Sequence, residues 1–176
     1  MKYGLWKYLT TFGVTTTVLA GLNLPIQAQS DANLVRLFDT TCVQMKGYWY
    51  KEKNEISSGR EVYTSIANIV NWGNKSSGVS CRISVNGRSP YQTLSLKFGL
   101  NDDRDNEDVI VNIYLDGKLV ESPAVTRGNV ETFTFNVSQT KSVAIEAVCP
   151  ETNSQCYSTI HFFWAHLEKK APVRRR

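Results

Sequence analysis

The chain has 176 residues, 41% of them hydrophobic, which suits one domain with a full core and excludes a fibrous or disordered chain. Its 20 Lys and Arg against 16 Asp and Glu give a net charge of +4, but five basic residues sit in 169–176 and two more, Lys2 and Lys7, at the start. Between residues 29 and 168 there are 13 basic and 16 acidic residues, so the body lacks the basic face that nucleic acid requires and no nucleic-acid partner is expected.

At the start, Lys2 and Lys7 precede an apolar stretch over residues 12–24 and a small-residue exit, Pro25-Ile26-Gln27-Ala28. This is the layout of a secretory signal peptide over residues 1–28. The stretch is shorter than the ~20 residues of a spanning helix, so no stable membrane span is expected. The implied location is secreted, periplasmic or cell surface. All four cysteines lie beyond this segment, an even number suited to an oxidising compartment. Three pairings are possible on paper. Cys149 and Cys156 flank a polar loop between two strand candidates and are expected to staple it, leaving Cys42 with Cys81. Zinc prefers Cys-x-x-Cys spacings, and none is present.

Residues 29–56 read as an N-terminal segment packing on the main domain. Within it, Leu34, Val35, Leu37 and Phe38 form a small apolar cluster that suits a helical turn or an edge strand. Residues 42–50 read as one strand ending in Tyr48-Trp49-Tyr50, and residues 54–60 as a polar turn. Val62, Ile66, Ile69 and Val70 fit helical spacing, although Val62-Tyr63 alone suits a strand. Residues 71–78 form a loop of turn formers.

From Val79 onward, apolar residues fall on every second position. Val79, Cys81, Ile83 and Val85 share one face; Leu94, Leu96 and Phe98 follow, then Val109, Val111, Ile113 and Leu115, then Phe133, Phe135 and Val137. Side chains alternate across a strand, so each segment has one dry and one wet face. Asp116-Gly117 is the strongest hairpin signal. Val143, Ile145 and Ala147 continue the pattern. Residues 158–167 are apolar on both faces, which suits a doubly covered strand and places Trp164 in the core. The predicted fold is an all-β antiparallel β-sandwich, two stacked sheets with their dry faces inward. The basic residues 169–176 read as a disordered tail able to make weak contact with an anionic surface.

One order of motifs carries a resemblance: Gly59-Arg60 with Tyr63, residues 79–87, Tyr91-Gln92-Thr93-Leu94 running into Phe98-Gly99-Leu100-Asn101-Asp102, residues 113–122, and Trp164-Ala165 near the end. Over residues 57–168 the chain resembles the NPCBM/NEW2 domain, a carbohydrate-binding module found beside glycoside hydrolases. The resemblance implies a galactose-binding-like jelly roll that holds a glycan. It departs where that family commonly has an acidic residue beside the last tryptophan; here His161, Phe162, Phe163, Ala165 and His166 surround Trp164.

Sugar sites pair an aromatic platform with convergent polar groups. Trp72 between Asn71 and Asn74 fits that description, with Tyr91 and Arg127 as contributors from neighbouring loops; in the alternative, Trp72 plugs one end of the sandwich. Tyr48, Trp49 and Tyr50 form a second candidate, of which at least one must face the core. Asp102, Asp103, Asp105, Glu107 and Asp108 offer oxygen donors for Ca²⁺, with Asp102, Asp103 and Asp105 the leading ligands. The spacing of a dedicated calcium loop is absent, and a solvated turn reads equally well.

Catalysis finds no motif: there is no Gly-x-Ser-x-Gly, His-Glu-x-x-His or phosphate loop. His161 and His166 are an odd number of residues apart and are expected on opposite faces of one strand. The expected function is an exported, non-catalytic carbohydrate-binding module that holds a glycan at a loop-end site, with Ca²⁺ the one candidate cofactor. The alternatives are a protein-interaction or envelope-structural sandwich, and a hydrolase built on two carboxylates.

Overall fold

The computed structural model describes residues 33–72, 76–102, 108–150 and 156–171, all inside the unit Asp31–Arg176. The signal-peptide segment, Asn74, Asp103 and Asp105 lie outside the described residues. The strands are β1 (Leu34–Arg36), β2 (Thr41–Lys46), β3 (Tyr48–Ser58), β4 (Glu61–Trp72), β5 (Ser77–Arg82), β6 (Tyr91–Leu100), β7 (Val109–Leu115), β8 (Lys118–Glu121), β9 (Ala124–Val125), β10 (Val130–Asn136), β11 (Ser142–Val148) and β12 (Tyr157–Lys169), with a 3₁₀ turn at Leu37–Asp39. One sheet runs β10-β6-β12-β4-β3 with β1 beside β12; the other runs β2-β5-β11-β7-β8 with β9 beside β7. Every pairing is antiparallel. The predicted β-sandwich is the observed fold.

The core follows from the alternation. Val79, Cys81 and Ile83 meet Val143, Ile145 and Ala147 from the neighbouring strand, and Leu94, Leu96 and Phe98 face them from the other sheet, all buried. Val85 departs from the pattern and is exposed, because it bridges to Arg88 around Asn86 and Gly87, both at positive φ. Phe133 and Phe135 are half-buried because β10 is an edge strand, although Phe133 still stacks on Phe98 at 5.9 Å.

Residues 42–50 are two strands, not one. Gly47, at φ +60, turns the chain from β2 in one sheet to β3 in the other. A Cβ there would meet Ser77 Oγ at 1.8 Å, so only glycine fits. Residues 54–60 are largely strand as well: β3 runs to Ser58, and Gly59 and Arg60, at φ +61 and +67, are the whole turn. The helical spacing at 62–70 gives way to β4, hydrogen-bonded on both sides by β3 and β12. Pairing on both edges outweighs a short periodicity in a segment rich in β-branched residues. The described part of this N-terminal segment, residues 33–56, is therefore woven into both sheets, with Leu37 and Phe38 in the core.

Both predicted disulfides are present. Cys42 and Cys81 are directly opposite on β2 and β5, with Cα atoms 4.0 Å apart, and Cys149–Cys156 closes the β11–β12 connection. The basic tail begins later than expected: Lys169 ends β12, and Lys170 Nζ donates to the Ser89 and Ser138 carbonyls at 2.8 Å each. Among the described residues, no helix is long and apolar enough to cross a membrane.

Asp102 braces the β3–β4 turn. Its carboxylate accepts from Arg60 N at 2.9 Å, Gly59 N at 3.1 Å and Ser57 Oγ at 3.0 Å. The Arg60 amide chiefly holds its pKa below the ordinary aspartate value, with help from Ser57 and Gly59 and against some desolvation. A depressed carboxylate stabilises the fold above its unfolded pKa and loses that contribution as pH falls through the folded value. Asp102→Asn is thus expected to lower stability by about 1 kcal/mol at neutral pH. The difference from wild type should shrink as pH falls through and below the ordinary aspartate range, read as urea midpoints.

Candidate functional site

A cleft of about 460 Å³ opens on the outer face of the β3–β4–β12 sheet. Strand alternation builds it. β3 turns Tyr48, Tyr50, Glu52 and Asn54 toward it; β4 supplies Asn68, Val70 and Trp72; β12 supplies Tyr157, Thr159 and His161; Asn101 closes it from the end of β6. Cross-strand register sets these side chains in rows. Tyr157 is opposite Trp72, Val70 lies between Tyr48 and Thr159, and Asn68 lies between Tyr50 and His161.

The rim is aromatic and wet. Trp72 is 60% exposed, Tyr48 53%, Tyr50 52% and Tyr157 39%, values that no core role explains. Trp72 and Tyr157 lean together with ring centres 5.3 Å apart, and Tyr48 and Tyr50 stack nearly parallel at 6.4 Å. The intervening Trp49 points the other way and packs on Phe38 at 5.8 Å, so one aromatic of that trio does face the core.

The floor is polar and recessed. His161 Nδ1 and Glu52 Oε1 are 2.8 Å apart, and Ser65 Oγ donates to the same carboxylate oxygen at 2.6 Å. Ser65, Glu52 and His161 do not form a hydrolytic relay. A relay places the hydroxyl on one ring nitrogen and the carboxylate on the other. Here Ser65 bonds the carboxylate and lies 3.4 Å from the same Nδ1. The cluster instead fixes the His161 ring and stiffens the floor. Glu52→Ala takes the carboxylate from two buried partners and is expected to cost about 1–3 kcal/mol, measured by urea unfolding.

The sequence candidates fare unequally. Trp72 lies at the cleft, as the last residue of β4. Asn71, one position earlier, turns inward and is fully buried, its Nδ2 donating to the Ala147 carbonyl of the opposite sheet at 3.0 Å. Tyr91 is buried at the far end of β12, opposite Lys169. Arg127 is exposed between β9 and β10 and does not line the cleft. Asp102 is committed to the β3–β4 turn, and among the described residues no three His, Cys, Asp or Glu side chains are grouped to hold a metal.

Trp164, expected in the core, is 42% exposed with its ring against His166 at 3.8 Å. A register shift between Phe162 and Trp164 inserts one residue in β12. That β-bulge resets the alternation, so His161 and His166 both face outward instead of lying on opposite faces. The polar floor residues Asn68, Thr159 and His161 went unread in the sequence; the signal was the every-second-residue run Tyr157, Thr159, His161.

No protein-family model and no curated protein matches the sequence. Solved structures do. The CBM51-2 and INT domains of ZmpB from Clostridium perfringens superpose with TM-score 0.59 at 14% identity, over 77% of this chain and 31% of that one. The CBM51 of C. perfringens GH95, in complex with methyl-galactose, matches at 0.56 and 11% identity, over 76% of this chain and 99% of that one. The tandem CBM51 modules of Sp3GH98, the family 98 glycoside hydrolase of Streptococcus pneumoniae, match at 0.58 and 16% identity, over 81% and 49%. The chain thus spans about a third of the first, about half of the third and nearly all of the second. At such identities the likeness is one of fold, and the fold is the β-sandwich that these carbohydrate-binding modules share.

Proposed function

We propose that this chain is an exported, non-catalytic glycan-binding module whose ligand lies in the β3–β4–β12 cleft. One observation carries the reading: four solvent-exposed aromatic rings border a recessed floor of amide, carboxylate and imidazole groups. An aromatic face matches the apolar face of a pyranose, and the recessed polar groups match the hydroxyls that a saccharide carries along its length. The fold shared with carbohydrate-binding modules supports the same ligand class. In the Ser65 cluster the hydroxyl and the carboxylate share one ring nitrogen of His161, an arrangement that supports binding without turnover. The signal-peptide layout and the two disulfides support export.

Export and binding are tested together. Secreted protein is applied to a panel of immobilised polysaccharides beside the Trp72→Ala variant. Retention of the wild type and loss of retention in the variant support the proposal. Folded protein that binds no sugar in either form overturns it and leaves the sandwich as a protein-interaction module.

A further inference from the structure

Among the described floor residues, Asn68 is the one with an orphaned buried atom. It is 9% exposed, and its Oδ1 is buried with no hydrogen-bond partner. A buried amide oxygen without a donor is costly, and natural folds keep few of them. Its position in the sheet is informative. Register sets Asn68 between Tyr50 and His161, and it lines the same cleft as Trp72. Four residues of one strand separate Asn68 from Trp72, about 13 Å. That backbone separation exceeds the width of one pyranose ring, so a saccharide of two units spans the cleft from the Trp72–Tyr157 end to Asn68.

We propose that Asn68 is a specificity-determining residue of the cleft, accepting through Oδ1 a hydroxyl from the second unit of a saccharide whose first unit stacks on Trp72 and Tyr157. The inference rests on the glycan reading above and deepens it: the ligand is a chain of at least two sugars. A saccharide is rich in hydroxyl donors, and Glu52, which lines the same cleft, adds an acceptor carboxylate. The unmet acceptor is thus a site held ready, its desolvation cost offset when ligand arrives.

The test is isothermal titration of the full secreted chain with three matched pairs: glucose and cellobiose, galactose and lactose, N-acetylglucosamine and its β-1,4 disaccharide. Wild type is expected to bind at least one disaccharide about tenfold more tightly than its monosaccharide. Asn68→Ala is expected to erase that difference while leaving monosaccharide binding unchanged. Trp72→Ala should weaken both. Thermal melts keep the result interpretable, because removing an unbonded amide oxygen should leave the transition unchanged or raise it. Equal affinity for both members of every pair, or an Asn68→Ala variant that retains the disaccharide preference, overturns the inference and leaves the glycan reading standing. Failure of all six sugars to bind overturns both.

Discussion

Replacing Trp72 by alanine is expected to weaken glycan binding by about ten- to a hundredfold, with the unfolding transition shifted by no more than about 0.5 kcal/mol. The two halves of that result come from one fact. Trp72 is the terminal residue of β4, 60% exposed, and its ring leans on Tyr157. Taking away an exposed ring leaves no cavity, so the fold loses almost nothing. A bound sugar loses the largest apolar surface on the rim, and large aromatic contacts dominate such sites. The neighbouring residue gives the opposite signature. Asn71→Ala removes a buried bond to the Ala147 carbonyl and should lower stability by about 1–2 kcal/mol, with sugar affinity preserved. Titration and urea unfolding of the two variants side by side therefore separate platform from scaffold. Unchanged binding in the Trp72 variant would remove the cleft from the account.

Removal of the Cys42–Cys81 disulfide, as a double alanine variant, is expected to cost about 4 kcal/mol, a fall in Tm of roughly 10 °C by calorimetry. Removal of Cys149–Cys156 should cost less, about 2.5 kcal/mol. The sequence separations of 39 and 7 set the order, because a crosslink closing a longer loop restricts the unfolded chain more. Packing adds to the first. Cys81 is 1% exposed in the core and lies opposite Cys42 across β2 and β5. Without that crosslink, β2 is held to the sheet by one ladder alone. Equal losses for the two double variants would show that loop closure does not govern the stability of this sandwich.

The sheets were legible wherever a strand buries one face and shows the other to water. Residues 79–83, 94–98, 109–113 and 143–147 have that character, and their alternation places each side chain on its correct face. Legibility failed in three physical situations. A glycine that redirects the chain leaves no mark in hydropathy, so Gly47 was absorbed into a single strand. A strand buried on both faces, as β4 is at Ala67, Asn68 and Ile69, shows no clean stripe of period two, and chance helical spacing filled the gap. The bulge at Phe163 adds a residue that no local pattern announces, and it inverts every assignment after it, which is how Trp164 and His166 came to face outward.

Half of the cleft could be read and half could not. Trp72 stood out because a tryptophan in a stretch of turn formers has no core role. Asn68 and His161 did not, because a polar residue inside an apolar strand looks the same whether it fills a gap or lines a cleft. Only the register of three strands, brought together from positions about a hundred residues apart, tells the two apart.

β12 also acts as a ruler between two ends of the molecule. It begins at Tyr157, on the aromatic rim, and finishes where Lys170 fastens the departing chain to the Ser89 and Ser138 carbonyls. Those points are separated by about 40 Å of extended strand. The C-terminal end of β12 therefore lies at the far pole from Trp72, so chain leaving the sandwich there starts clear of the cleft.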